Sequence, residues 1–168
     1  MNWYAIYVLS KHESSVRDGL RRKDLRTFLP LQYRRSRRTD RKKILQLPLF
    51  PNYLFVYTEM SKNEYVRILN TIGVVRLLGN GFGDLWPIPD EEIESVGKIV
   101  ENQELFTFQL INYIQTGDKV KIAAGPLAGV VGTLVDKDMR KCQLSVSLSL
   151  MNRSLVVAVD TGVVERVM

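Results

Sequence analysis

Apolar positions change their period several times along the chain, and each change marks an element. Trp3-Tyr4-Ala5-Ile6-Tyr7-Val8-Leu9 is an unbroken aromatic and aliphatic run, which predicts a strand. From Ser10–Ser15 the spacing lengthens. Val16, Leu20 and Leu25 form a stripe with Arg17, Arg21 and Arg22 outside it, which predicts a helix. Thr27–Leu31 predicts a short strand closed by Pro30, and Ile44–Leu47 and Asn52–Tyr57 predict two more, separated by Pro48 and Pro51. Ser61 with Glu64 three residues on has the pattern of a capping box, opening a helix that turns Tyr65, Ile68 and Leu69 inward until Gly73. Val74–Leu78 predicts a strand. Pro89-Asp90-Glu91-Glu92 places acids at the positive end of a helix that continues through Ile93, Val96 and Val100.

The tail changes character at Gly117-Asp118. Lys119–Ile122 alternates with period two, and Val130–Val135 predicts a second strand beyond the turn Gly125-Pro126-Leu127-Ala128-Gly129. After a polar hairpin at 136–141, Leu144, Val146, Leu148 and Leu150 alternate with Ser145, Ser147 and Ser149, the pattern of a half-buried strand. Met151-Asn152-Arg153 then turns into a strand over Ser154–Val159, and Val163-Val164 closes the set. Five short strands in about fifty residues predict a small SH3-like barrel. The residues before it predict an α/β or α+β sandwich ending near residue 102, and 103–114 read as a linker whose apolar residues allow part of it to pack.

Charge adds a second kind of information. The net charge is +6, but residues 17–43 hold twelve Lys/Arg against three Asp, while 44–110 hold four against nine acids. The excess is therefore a local patch. It is densest at Arg34, Arg35, Arg37, Arg38, Arg41, Lys42 and Lys43, where only Asp40 opposes it. Such a patch attracts phosphate backbones; the alternative is a solvated loop that keeps the chain soluble. No run approaches the roughly 20 apolar residues of a membrane span, and Met1–Tyr4 lacks the features of a secretory signal. A soluble, cytoplasmic protein is expected.

The chemistry of an enzyme is not assembled. With one histidine, His12, and one cysteine, Cys142, there is no set for a His- or Cys-based metal site and no disulfide framework. Glu91, Glu92 and Glu94 are explained by their helix dipole. Gly79-Asn80-Gly81-Phe82-Gly83 lacks the Lys-Ser/Thr and following helix of a phosphate loop and reads as a hairpin turn. No enzymatic activity, cofactor or metal is expected.

The ordered motifs resemble bacterial NusG-type transcription elongation factors over nearly the whole chain. They are Trp3-Tyr4, His12-Glu13, Phe50-Pro51-Asn52-Tyr53-Leu54-Phe55, Gly73-Val74-Val75-Arg76 and Pro87-Ile88-Pro89-Asp90-Glu91-Glu92. A KOW motif follows from Gly117 through Gly129 to Gly132. The resemblance implies an α+β fold. An N-terminal NusG (NGN) α/β sandwich with an antiparallel sheet spans 1–102, a linker 103–114, and an SH3-like KOW β-barrel 115–168. It also implies a monomer that binds the β′ clamp helices of RNA polymerase, bridges toward the β subunit and suppresses pausing.

Pro51, Tyr53 and Phe55 alternate along one strand and so share a face, with Ile93 and Phe82 as additional members of an RNA polymerase-binding pocket; Tyr53 and Phe55 facing the domain's own core is the alternative. Arg21, Arg22 and the Arg34–Lys43 run would lie near the non-template DNA strand, with phosphate contacts giving affinity rather than sequence reading. Leu127 with Met151, Asn152 and Arg153 matches the barrel face that family members offer to ribosomal protein S10 or Rho. The stretch Pro48–Val56 and the basic run resemble the specialised RfaH and UpxY-type paralogs, in place of the Gly that commonly follows the second proline in general NusG. Where RfaH carries a His-Thr-Thr-Thr segment for the β-subunit gate loop, this chain reads Glu64-Tyr65-Val66-Arg67, so that contact does not carry over unchanged. The alternating Leu144–Leu150 strand favours a constitutive barrel over a helical tail. A housekeeping NusG, and a ribosomal or RNA-binding KOW protein, are the competing readings.

Overall fold

The central sheet of the N-terminal half forms where the sequence runs apolar on both faces of its strands. A computed structural model describes residues 1–35, 44–105, 108–111, 117, 119–137, 141–148, 153–160 and 163–167. These fall into two units, Met1–Pro89 and Asp90–Met168. The first contains β1 (Asn2–Val8), α1 (Glu13–Arg21), β2 (Arg26–Phe28), β3 (Leu31–Arg35), β4 (Ile44–Pro48), β5 (Tyr53–Thr58), α2 (Lys62–Leu69), β6 (Val74–Leu77) and β7 (Pro87–Ile88). The sheet order is β2-β5-β1-β6, antiparallel, with β7 also paired to β1.

Because side chains alternate across a strand, register divides this sheet into two faces. Tyr4, Ile6, Val8, Leu54 and Val56 point to one face and pack with Val16 and Leu20 of α1, Ile68 of α2, Leu25 and Leu77 in a single buried cluster. Ala5 stands opposite Phe55, Tyr7 opposite Tyr53 and Trp3 opposite Tyr57, and these face the other way. Half of the expected capping box forms at α2: the Ser61 side chain accepts a hydrogen bond from the Glu64 backbone N–H at 3.1 Å, while the Ser61 N–H donates to Glu59 O at 2.8 Å rather than to the Glu64 carboxylate.

The stretch after α1 departs from the sequence pattern. The apolar stretch 27–31 is divided: β2 ends at Phe28 and β3 begins at Leu31. Pro30 has no N–H to donate, and its carbonyl accepts from Leu49 N–H at 2.8 Å. The chain thus leaves the main sheet there and forms a separate two-stranded ribbon, β3 against β4. Arg34 and Arg35, expected in a loop, are the last residues of β3.

The Gly-rich loop is the expected hairpin turn, with Asn80 N–H bonded to Asp84 O at 2.9 Å and Gly79 bridged to Leu85. Gly79 has φ +145°, and a Cβ there would stand 2.5 Å from Asp84 O. Gly79→Ala is expected to destabilise the protein by about 1–3 kcal/mol, measured by urea unfolding, whereas Gly83→Ala, whose Cβ would meet nothing within 4 Å, should cost less.

The second unit contains α3 (Asp90–Glu101), β8 (Phe108–Ile111), β9 (Lys119–Ile122), β10 (Val131–Lys137), β11 (Lys141–Leu148), β12 (Arg153–Asp160) and β13 (Val164–Arg166). Its antiparallel sheet has the order β13-β9-β10-β11-β12-β8, so the protein as a whole is a mixed α+β fold with antiparallel sheets. β8 lies within the stretch read as linker and pairs with β12. Val120, Ile122, Leu127, Val130, Leu155, Val157 and Val159 are buried. Helix α3 buries Ile93, Ser95, Val96 and Ile99 and lies against β10 and β11. Among the described residues no helix is long and apolar enough to cross a membrane.

Candidate protein-binding face and basic segments

The sheet face away from α1 and α2 carries three rows of side chains running across the strands. Arg26, Tyr57 and Trp3 form the first, Phe28, Phe55 and Ala5 the second, and Tyr53, Tyr7 and Arg76 the third. In the first row the Arg26 guanidinium lies 5.4 Å from the Trp3 ring centroid and 5.2 Å from that of Tyr57. In the second, Phe55 stacks on Phe28 at 6.0 Å and meets the edge of Phe50 at 6.0 Å. In the third, the Tyr53 and Tyr7 rings are 5.2 Å apart and Arg76 lies 6.0 Å over Tyr7.

Pro51 lies in the turn before β5, with left-handed Asn52 after it, and so is outside the alternation expected to group it with Tyr53 and Phe55; exposure separates those two. Phe55 is fully buried at 0% exposure, whereas Tyr53 and Tyr7 are half-buried and Pro51 and Arg76 exposed. Both outer rows keep an exposed arginine, Arg26 or Arg76, but the third row offers two half-buried rings beside exposed Pro51, where the first offers Tyr57 next to buried Trp3.

The turn presenting Tyr53 is held by a residue far away in sequence. Asn52 has φ +69°, the left-handed region that Gly, and after it Asn, adopts most readily. Its backbone N–H donates to Glu13 Oε1 at 2.9 Å, its side chain donates to Val8 O at 3.2 Å, and its carbonyl accepts from Val8 N–H at 2.9 Å. Glu13 is buried in the first turn of α1, where the helix dipole favours its charge. Glu13→Ala leaves the Asn52 N–H without its acceptor and should cost about 1–3 kcal/mol. Glu13→Gln keeps an oxygen in place and should cost less, and Asn52→Gly should be better tolerated than Asn52→Val, all read from denaturant midpoints. In the sequence Glu13 stands only as part of a motif, and no local pattern gives a role to Tyr7 or Arg76.

Phe82 is half-exposed, and its ring lies 5.5 Å from Tyr65 of α2, on the helix that covers the opposite face. Ile93 is buried on α3. Arg21 and Arg22 are exposed at the end of α1, with Arg21 Nε donating to Thr27 Oγ1 at 3.2 Å. The nearby acid Asp18 is hydrogen-bonded by Arg17 Nε at 2.8 Å, which holds its carboxyl below the ordinary range. Arg37, Arg38, Arg41, Lys42 and Lys43 lie outside the described residues, as do Met151 and Asn152, and Arg153 opens β12.

Leu127 is buried at 1% exposure. Its turn is tied to α3, since Lys98 Nζ donates to Ala128 O at 2.8 Å and Asn102 Nδ2 to Pro126 O at 3.4 Å. Among the described residues no group of three or more His, Cys, Asp and Glu is placed to hold a metal ion.

Residues 1–97 match the family model described as "Transcription termination factor nusG". The chain is 24% identical over 181 residues to the transcription termination/antitermination protein NusG of Halalkalibacterium halodurans, covering 99% of this chain and 98% of that protein. It is also 24% identical over 173 residues to the protein of the same name from Bacillus subtilis, covering 95% and 94%. Its fold is similar to the solved structure "Domain interaction in Thermotoga maritima NusG", with a TM-score of 0.56, 20% identity, and 99% and 97% of the two chains covered.

Proposed function

The chain belongs to the NusG family of transcription factors, and on that premise we propose that it is a non-enzymatic elongation and antitermination factor that binds RNA polymerase through the third row of its aromatic face. The observation that carries this reading is the accessible corner where Tyr53 and Tyr7 pack together, two residues after exposed Pro51, on a turn fixed by Asn52 and Glu13. Half-buried aromatic rings beside an exposed proline, held on a strand, are what an interface anchor requires. The partner surface is the β′ clamp helices, with a second contact toward the β subunit, and the effect is to suppress pausing and termination. Asn52, in place of the glycine of general NusG, and the dense basic run support a specialised paralog acting on selected operons, such as polysaccharide clusters. Full-length similarity to proteins named NusG favours the housekeeping alternative. Elongation assays with and without Rho separate the two, since only the housekeeping factor should enhance Rho-dependent termination.

In this reading the N-terminal domain spans 1–102 and the barrel 115–168, and the barrel turn at Leu127, with Met151, Asn152 and Arg153, takes S10 or Rho. Leu127 is buried and the carbonyls on either side of it accept from Lys98 and Asn102, so such a partner reaches its side chain only once this turn has opened. Arg21, Arg22, Arg34, Arg35 and the cations up to Lys43 contact the non-template strand through phosphates. Changing Arg34, Arg35, Arg37 and Arg38 to Glu should flatten the salt dependence of single-strand binding by about 0.7 in log K per log salt for each phosphate no longer neutralised. Unchanged crosslinking to that strand would identify the run as a solvated segment.

A further inference from the structure

We propose that Arg76 makes the charged contact of the polymerase-binding corner, with a carboxylate of the docked protein; this rests on the reading of that corner given above. Three observations support it. Arg76 completes a row across three strands: it is paired with Tyr7 on β1, and Tyr7 is paired with Tyr53 on β5. Directly opposed residues project from the same face, so the guanidinium and the two rings face one partner. The second observation is orientation. The guanidinium rests 6.0 Å over the Tyr7 ring, a cation–π placement that holds a long side chain against the sheet. Ordering achieved before docking lowers the entropy cost of the contact.

The third is that the donors of Arg76 are unspent. Three arginines of this unit are tied down, Arg17 by Asp18, Arg21 by Thr27, and Arg67 by Glu64 and the Lys23 carbonyl, whereas Arg26, like Arg76, rests over aromatic rings. Arg76 is exposed, and among the described residues it has no carboxylate or carbonyl partner. A guanidinium with its fork open to solvent, beside aromatic anchors, fits a carboxylate two-pronged. A protein carboxylate is favoured over a nucleic-acid phosphate by the surroundings. Within this unit the stretch 44–89 is balanced, with Glu59, Glu64 and Asp84 against Lys62, Arg67 and Arg76, so Arg76 is not part of the dense basic run that would draw a phosphate backbone.

The test is equilibrium binding of the full chain to core RNA polymerase, for wild type, Arg76→Glu, Arg76→Lys, Tyr53→Ala and Arg26→Glu. Arg26→Glu has the same charge change on the same sheet face, in the first row. Thermal melting of each variant checks folding. Arg76→Glu should weaken binding about 10-fold or more and Arg76→Lys by a smaller factor, about 3-fold, because an ammonium cannot replace the fork. Arg26→Glu should change it by no more than about 2-fold, the difference between a distant surface charge and a direct contact. Replacing one Asp or Glu of the clamp helices by Arg should restore affinity to Arg76→Glu.

If Tyr53→Ala abolishes binding while Arg76→Glu leaves it intact, the assignment of Arg76 is wrong and the corner stands. If neither variant weakens binding, the corner itself is wrong. Equal losses from Arg26→Glu and Arg76→Glu would show a diffuse charge effect. A loss confined to DNA crosslinking would show a phosphate contact. Either result overturns the carboxylate assignment.

Discussion

Replacing Phe55 with alanine is expected to cost about 3–5 kcal/mol of folding stability, the usual range for removing a fully buried phenylalanine. The ring is 0% exposed and touches Phe28 and Phe50, so its removal leaves a cavity whose walls are themselves rigid rings. Against a typical total of 5–15 kcal/mol, that loss should lower the melting temperature by about 10 °C or more, measured by calorimetry. Phe55→Leu, which fills most of the space, should lose much less. The consequence for function is indirect: weakened polymerase binding by Phe55→Ala reports the collapse of the platform beneath Tyr53, because Phe55 itself is out of a partner's reach.

Tyr53→Ala should behave in the opposite way. Its ring is half-buried and packs on Tyr7 at 5.2 Å, a ring contact worth about 1 kcal/mol, so truncation should cost far less stability than that of fully buried Phe55. As an interface anchor it should cost about 2 kcal/mol or more of binding, roughly 30-fold in affinity for core polymerase. Titrations of the two variants, compared with their unfolding curves, distinguish platform from anchor. Should Tyr53→Ala destabilise the fold as much as Phe55→Ala does, or bind as well as wild type, the assignment of the anchor to Tyr53 fails.

Why alternation could not make this distinction is clear from the two residues. Period two tells which side chains share a face, and Tyr53 and Phe55 do share one. Their exposure depends on what lies across the sheet. Phe55 has Phe28 on one side and Phe50 over it, and neither neighbour follows from the alternation of Pro51–Phe55. The same limit applies to Tyr7 and Arg76, which join the site through β1–β5 and β1–β6 register. It applies also to Glu13, whose bond to Asn52 spans 39 residues.

What depends on local chemistry is legible. Ser61 caps α2 because a serine oxygen fits the open N–H of Glu64, and Asp90, Glu91 and Glu92 begin α3 where its dipole is positive. Alternation identifies β9 and β11. The sequence pattern runs β2 and β3 together because Pro30 reads as the end of one strand rather than the point of departure for a ribbon. It leaves β8 in the linker because four residues paired only by long-range register have no period of their own.

The most direct test of the central claim is equilibrium binding of the full chain to core RNA polymerase, compared with polymerase whose β′ clamp-helix tip has been deleted. Binding to the intact enzyme should be tight, with a loss of about 30-fold or more on the deletion. Equal affinity for the two enzymes would contradict it.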